Sequence, residues 1–95
     1  MGAPRIHMDF NGYALDSWYT LEDIERQGIK LGPGMRCVFY EFDCEDGVYG
    51  LLHTSGKVWW NAERECFMLD MRTVNFQFTP GNDISILDAL YPDTV

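Results

Sequence analysis

The sequence predicts a mainly β domain of the α+β class: a small curled antiparallel sheet or SH3-like barrel of five to six strands with one short N-terminal helix. Short apolar stretches, alternating or continuous, recur between turn signals, as in a meander of strands. Only one early stretch has a helix start signal and a helix stop signal. The 95 residues are 46% hydrophobic and 15% aromatic, which is enough for one buried core, so a single domain is expected over residues 1–95.

The first segment, residues 1–19, is predicted to hold a short strand and a loop. Its stretch RIHMDF alternates, with Ile6, Met8 and Phe10 on one face, as in a half-buried strand. Asn11-Gly12 is a turn signal and ends this strand. Edges of such small sheets are usually hidden, which favours closure into a barrel.

The second segment, residues 20–28, is predicted to be a short helix with the sequence TLEDIERQG. Thr20 can cap the free N–H groups of the first turn, and Leu21 with Ile24 gives an apolar edge. Gly28 is expected to end the helix in the left-handed conformation, which glycine adopts at low cost.

The antiparallel β core is expected over residues 35–79, and a tail over residues 80–95. MRCVFYEF is apolar on both sides, which predicts a central strand covered on both faces. After an acidic loop, the stretches VYGLLHTS and KVWW are expected to flank a turn at Ser55-Gly56, and CFMLDM and TVNFQF to follow as further strands. The tail stretch DISILDAL indicates a helical turn or two capped by Asp83.

Charge and cysteine content restrict the classes of function. The formal net charge of -8 repels phosphate backbones, so direct nucleic-acid binding is not expected and basic partners are favoured. No apolar stretch is long enough for a membrane span and no export signal is recognisable, which predicts a cytoplasmic protein without membrane contact. The three cysteines have no CxxC spacing, so we expect reduced thiols, no metal site and no cofactor.

A series of short motifs lies between Leu21 and about Val74. They read LxDIxRQGI, LxxGM, RxVFY, GxxH and a tryptophan before a hydrophobic-acidic pair. This series resembles that of small bacterial proteins of the integron gene-cassette type, a set with no settled activity. The matching positions are Leu21, Ile24, Arg26, Gln27, Gly28, Ile29, Leu31, Gly34, Met35, Tyr40, Gly50, His53, Trp60, Leu69 and Asp70. Met71 departs from the pattern, since a second tryptophan is more usual there, and so does the long tail. The resemblance implies a fold and no catalytic residues.

Two adjacent tryptophans are the main functional signal. In a strand, Trp59 and Trp60 must point to opposite faces, so we expect one to enter the core and the other to need cover, a subunit interface or a ligand. The leading hypothesis is a non-enzymatic binding module that presents an aromatic patch rimmed by acidic residues to a basic protein segment or a small apolar ligand. A homodimer or larger homo-oligomer is also expected. The predicted site residues are Trp59, Trp60, Tyr40, Tyr49, His53, Glu41 and Asp43, with Glu45 and Asp46 adding charge.

Alternative functions remain open at this stage. His53, oriented by Asp70, could serve as a base for a thiol such as Cys66 or Cys37, which would make the protein a small thiol- or His-dependent hydrolase. The same thiols with His53 and His7 are zinc-ligand types, although their spacing fits no known pattern. A third possibility is an acidic inhibitor that mimics nucleic acid, which requires the acids to form a continuous stripe.

Overall fold

The computed structural model of the protein describes residues 3–92. Five strands and two short helices follow one another along this part of the chain. They are β1 (Arg5–His7), α1 (Trp18–Arg26), β2 (Arg36–Glu45), β3 (Val48–Asn61), β4 (Cys66–Leu69), β5 (Gln77–Pro80) and α2 (Ile86–Leu90). The predicted mainly β class is therefore confirmed. Residues 1–2 of the predicted N-terminal segment and residues 93–95 of the predicted tail lie outside the described residues.

The five strands form one mixed sheet that is not closed. β2 lies between β1, to which it is parallel, and β3, to which it is antiparallel. β4 and β5 pair with β3 at residues 58–61 and 50–53, respectively. A closed SH3-like barrel is thus not confirmed, and the sheet is not purely antiparallel as expected. The difference arises because the connection from β1 to β2 contains α1, and a long helical crossover returns the chain in a parallel direction.

The first half of β2 is buried on both faces, as predicted. Cys37 and Phe39 belong to a core that includes Ile6 of β1, whereas Val38 and Tyr40 face a second core. The first core comprises Ile6, Met8, Phe10, Leu15, Ile24, Cys37, Phe39, Val58 and Leu69, and the second comprises Ala3, Val38, Tyr40, Leu51 and Leu87. Each large apolar side chain buried in this way contributes about 1.5–3 kcal/mol, so both faces stabilise the central strand.

β3 is one continuous strand of 14 residues, so the predicted turn at Ser55-Gly56 is wrong. Ser55 pairs with Val38 and Gly56 pairs with Cys37, so both residues belong to the β2–β3 ladder. A Cβ atom on Gly56 would lie 2.8 Å from the Leu69 side chain and 2.9 Å from that of Val74. Glycine is needed there because other side chains cross close above the strand, not because the chain turns.

α1 begins and ends two residues earlier than predicted. Ser17 is the N-cap residue, and Thr20 lies buried inside the first turn, where its hydroxyl is 2.8 Å from the Ser17 hydroxyl instead of capping the helix. Gly28 has φ of 69°, and its N–H donates to the Glu25 carbonyl at 3.0 Å. The predicted left-handed glycine after the helix is therefore confirmed.

α2 packs against the sheet through Leu87, which is fully buried. The Arg5 guanidinium donates to the Tyr91 carbonyl at 3.3 Å and to the Asp88 carboxylate at 3.0 Å, and so connects β1 to this helix. The Asp83 carboxylate accepts the Ser85 N–H at 3.0 Å, just before the helix begins. Neither α1 nor α2, the helices found within residues 3–92, is long and apolar enough to cross a membrane.

Candidate functional site

The four aromatic residues of the predicted patch do not come together. Tyr49 and Trp60 lie eleven residues apart on β3, which corresponds to about 36 Å along an extended strand. Tyr40 is only 7% exposed in the second core, whereas Tyr49 is 77% exposed beside the hairpin tip. The patch prediction failed because it assumed that β3 folds back at Ser55-Gly56, which would have brought its two ends close together.

The two tryptophans lie on opposite faces of β3, but neither is buried. Trp59 is 43% exposed and Trp60 is 46% exposed, so the prediction that one of them enters the core is wrong. The Trp60 ring lies edge-on to Phe67 with centroids 5.1 Å apart, and Trp59 is opposite Met68 in the β3–β4 pair. Both indoles sit near the end of the long strand, beyond the stretch that β2 covers.

His53 is fully buried in the middle of β3. Its Nδ1 is 2.7 Å from the Tyr91 hydroxyl, and its Nε2 is 2.8 Å from the Thr79 hydroxyl. Burial lowers the pKa of His53 below its ordinary value, because an imidazolium is costly to remove from water. In the neutral ring one nitrogen donates and the other accepts, so both hydroxyls can be satisfied.

Asp70 and the candidate thiols are not arranged around His53. The Asp70 carboxylate accepts from Arg72, at 2.9 Å from Nη2 and 3.0 Å from Nε, and these bonds lower the pKa of Asp70. Burial raises the pKa of the Cys37 thiol to about 11. The pKa of Cys66 is also raised, mainly by burial and secondly by the negative charge of Asp16. A raised pKa keeps a thiol protonated and unreactive near neutral pH. Within residues 3–92, no group of three or more His, Cys, Asp and Glu could hold a metal ion.

The predicted acidic loop is the tip of the β2–β3 hairpin. Asp46 and Gly47 form its two-residue turn, with φ of 51° and 81°, as in the tight turns that match strand twist. Glu45 and Asp46 are exposed, and the Asp43 carboxylate accepts the Cys44 N–H at 2.8 Å. The acidic loop expected after the central strand is therefore an exposed hairpin tip.

A groove lies between α1, the end of β1 and the middle of β2, and we call it the α1–β2 groove. It consists of two adjoining cavities of about 300 and 370 Å³. Both are lined by His7, Tyr19 and Phe42. The smaller cavity adds Glu22, Asp23, Arg26 and Tyr40, and the larger adds Met8, Asp9, Ser17 and Glu41. Two of the predicted site residues, Tyr40 and Glu41, therefore line this groove, without the tryptophans that were expected beside them.

Three rings form one wall of the groove. His7 pairs with Tyr40 in the parallel β1–β2 register, and Phe42 shares the face of Tyr40 because side chains alternate along a strand. The ring centroids are 5.3 Å apart for His7 and Tyr40, and 6.1 Å apart for Phe42 with either of the others. Tyr19, on the first turn of α1, stands on the other side of the groove and is largely exposed.

Carboxylates surround these rings. The groove is lined by four carboxylates, from Asp9, Glu22, Asp23 and Glu41, and by one guanidinium, from Arg26. The Asp23 carboxylate accepts a hydrogen bond from the backbone N–H of His7 at 3.2 Å, and this bond connects α1 to β1. The pKa of Tyr40 is raised, mainly by burial and secondly by the negative charge of Asp23. The groove is therefore both aromatic and acidic.

His7, Tyr19 and Phe42 were missed as site residues by reasoning from the sequence. The alternation in RIHMDF does place His7 on the face opposite Ile6, which is the only local signal for it. Nothing local indicates that this strand pairs with MRCVFYEF, some thirty residues later, and that pairing builds the ring wall.

Comparisons with known proteins add no relative: no protein-family model, no curated protein and no solved structure matches this chain. The functional argument therefore depends on the geometry and the electrostatics of the α1–β2 groove.

Proposed function

We propose that the protein is a non-enzymatic binding module whose α1–β2 groove takes a lysine or arginine side chain from a basic protein segment. The observation that carries this proposal is the cluster of His7, Tyr40 and Phe42, with centroids no more than 6.1 Å apart, beside the carboxylates of Glu22 and Asp23. A cation within about 6 Å of a ring centroid is attracted by the negative face of the ring.

The charge around the groove supports a cationic occupant over an apolar one. Arg26 already pairs with Glu22 at 3.2 Å and lies 3.7 Å from Asp23, but one guanidinium does not neutralise the four carboxylates that line the groove. A small apolar ligand would remove water from these charges without adding a cation, and removing a charge from water is costly. A cation would instead be attracted by the groove and, at longer range, by the net charge of -8. Such steering raises the association rate and selects basic partners.

The polar groups of the groove favour binding over covalent catalysis. The Ser17 hydroxyl is already hydrogen-bonded to Thr20 at 2.8 Å, and the buried cysteines Cys37 and Cys66 do not line the groove. No activated nucleophile is therefore available to a ligand among the residues that line the two cavities.

The proposal is tested with a capped hexalysine peptide and its fully Nε-acetylated form. The isotope-labelled protein is titrated with each peptide at low salt, and the backbone amide shifts are followed by NMR. We expect saturable shifts at residues 19–26 and 40–43 with the charged peptide and none with the acetylated peptide, because acetylation removes the cation. Added salt should weaken the binding through screening. Equal binding of the acetylated peptide, or shifts confined to other surfaces, would contradict the proposal.

A further inference from the structure

β2 is longer than the strand that pairs with its outer edge. β3 pairs with all ten residues of β2, whereas the register with β1 covers only Val38 to Tyr40 and stops at His7. Residues 41–45 of β2 continue beyond this point, and within residues 3–92 no strand pairs with them on the β1 side. The structure therefore contains a strand edge that is occupied in its first half and open in its second.

The backbone groups that face this edge follow from the existing hydrogen bonds. The Val38 N–H donates to the Pro4 carbonyl at 2.8 Å, and the Tyr40 carbonyl accepts the Met8 N–H at 3.1 Å. Because the hydrogen-bonding direction alternates along a strand, the N–H and carbonyl groups of Phe42 and Cys44 face the same side. The Asp43 carboxylate covers the Cys44 N–H, as charged side chains often do at exposed edges.

The α1–β2 groove adjoins this open edge. α1 stands beside β1, where Asp23 accepts the His7 N–H at 3.2 Å. Further along, the cavity of about 370 Å³ separates Ser17 and Tyr19 of the helix start from Glu41 and Phe42 of β2. This is the space into which β1 would continue if it were longer. A segment lying there would meet a strand edge on one side and a helix on the other.

We propose that the basic segment binds as an extended strand that continues the line of β1 and pairs with the β2 edge at Phe42 and Cys44. This inference rests on the proposed function and adds the conformation of the bound segment. Main-chain hydrogen bonds give affinity in such strand addition, and side chains give specificity.

The alternation of side-chain directions along the added strand predicts which residues the bound segment contains. One side chain would face the ring wall, and the next would face the side of Glu41 and Asp43, because neighbours on a strand point to opposite faces. Carboxylates lie on both sides of the edge, from Asp23 near the rings and from Glu41 and Asp43 opposite. The matching segment is therefore a run of consecutive basic residues in an extended conformation.

The first test compares two variants at one exposed edge position. Cys44→Pro removes the outward N–H and places a ring on the open edge. The β2–β3 ladder does not use that group, so the edge can accept proline. Cys44→Val keeps the N–H and is the matched control. We expect hexalysine to bind Cys44→Pro at least about fivefold more weakly than Cys44→Val, since backbone bonds are lost. The amide spectrum of each variant reports its fold.

The second test changes the peptide and leaves the protein unaltered. Capped hexalysine is compared with a form N-methylated at every second backbone amide and a form N-methylated at all of them, so that the charge stays the same. Strand addition predicts that the alternate form binds as the unmodified peptide, because only one edge of an added strand is used. The fully methylated form should bind at least about fivefold more weakly.

The outcomes separate the two proposals. If all three peptides bind equally and Cys44→Pro binds as Cys44→Val, strand addition is wrong and the binding module remains. If unmodified hexalysine does not bind the wild-type protein, both proposals are wrong. If Cys44→Pro does not fold, the peptide series on the wild-type protein decides alone.

Discussion

His53 and Tyr91 are joined by a hydrogen bond of 2.7 Å between the imidazole Nδ1 and the phenolic hydroxyl. The other ring nitrogen is 2.8 Å from the hydroxyl of Thr79 on β5. One buried imidazole on β3 thus connects the middle of the sheet to its edge strand and to the chain that follows α2. The role of this histidine is structural, and it has consequences for stability.

The free energy of unfolding should fall as the pH is lowered below about 6.5, the ordinary pKa of a histidine. The folded pKa of His53 lies below the unfolded one, so its contribution is present above that pH and is lost as the pH falls through the folded pKa. Urea unfolding at pH 7.5 and 5.5 measures the effect. His53→Gln should flatten this dependence, because it removes the imidazole. An unchanged slope in His53→Gln would contradict the assignment.

Tyr91→Phe should lower the free energy of unfolding by about 1–3 kcal/mol, because it leaves the buried His53 Nδ1 without its partner hydroxyl. Tyr49→Phe removes the same atom from a largely exposed ring and should change stability by less than about 0.5 kcal/mol. Denaturant midpoints at pH 7.5 compare the two variants. Similar midpoints would show that the Tyr91 bond contributes little.

Gly50→Ala should be destabilising by about 1–3 kcal/mol or more. A Cβ at this position would lie 2.5 Å from the Thr79 carbonyl oxygen and 2.6 Å from the Phe78 ring, so β5 would have to move. Gly12→Ala is the control, since a Cβ there meets nothing within 4 Å. Thermal unfolding of both variants tests the close packing of β5 on β3, and a wild-type melting temperature for Gly50→Ala would contradict it.

Phe42→Ala should weaken the binding of capped hexalysine by about two- to fivefold, the loss expected for one cation–π contact of about 0.5–1 kcal/mol. Val48→Ala alters a side chain of similar exposure on the other arm of the hairpin, outside the groove, and should leave the binding unchanged. Dissociation constants from the NMR titration give the comparison. An equal effect of both substitutions would indicate unspecific attraction to the acidic surface.

Self-association remains a prediction, with Trp59 and Trp60 as the exposed apolar side chains that would carry it. We expect sedimentation equilibrium to give a mass above the 11.0 kDa of one chain. Trp59→Ala or Trp60→Ala should shift the mass toward the monomer, with Leu90→Ala as an exposed apolar control. A wild-type mass equal to that of one chain would contradict the prediction of self-association.

Local sequence was sufficient for features that depend on a few neighbouring residues. The alternation of side chains indicated β1, the continuous apolar stretch indicated β2, and Gly28 indicated the end of α1. The expected strand TVNFQF was only partly right, because β5 begins at Gln77. Backbone preferences and the two-residue period of a strand act within a few residues, so they can be seen in the sequence itself.

The tertiary structure alone decided which segments meet. Gly56 could be interpreted as a turn until Leu69 and Val74 were seen to pack over it. The α1–β2 groove exists because β1 pairs in parallel with β2 across a long crossover, which brings His7 beside Tyr40. Such pairings depend on the total burial and hydrogen bonding of residues far apart in the chain, and no short stretch contains that information.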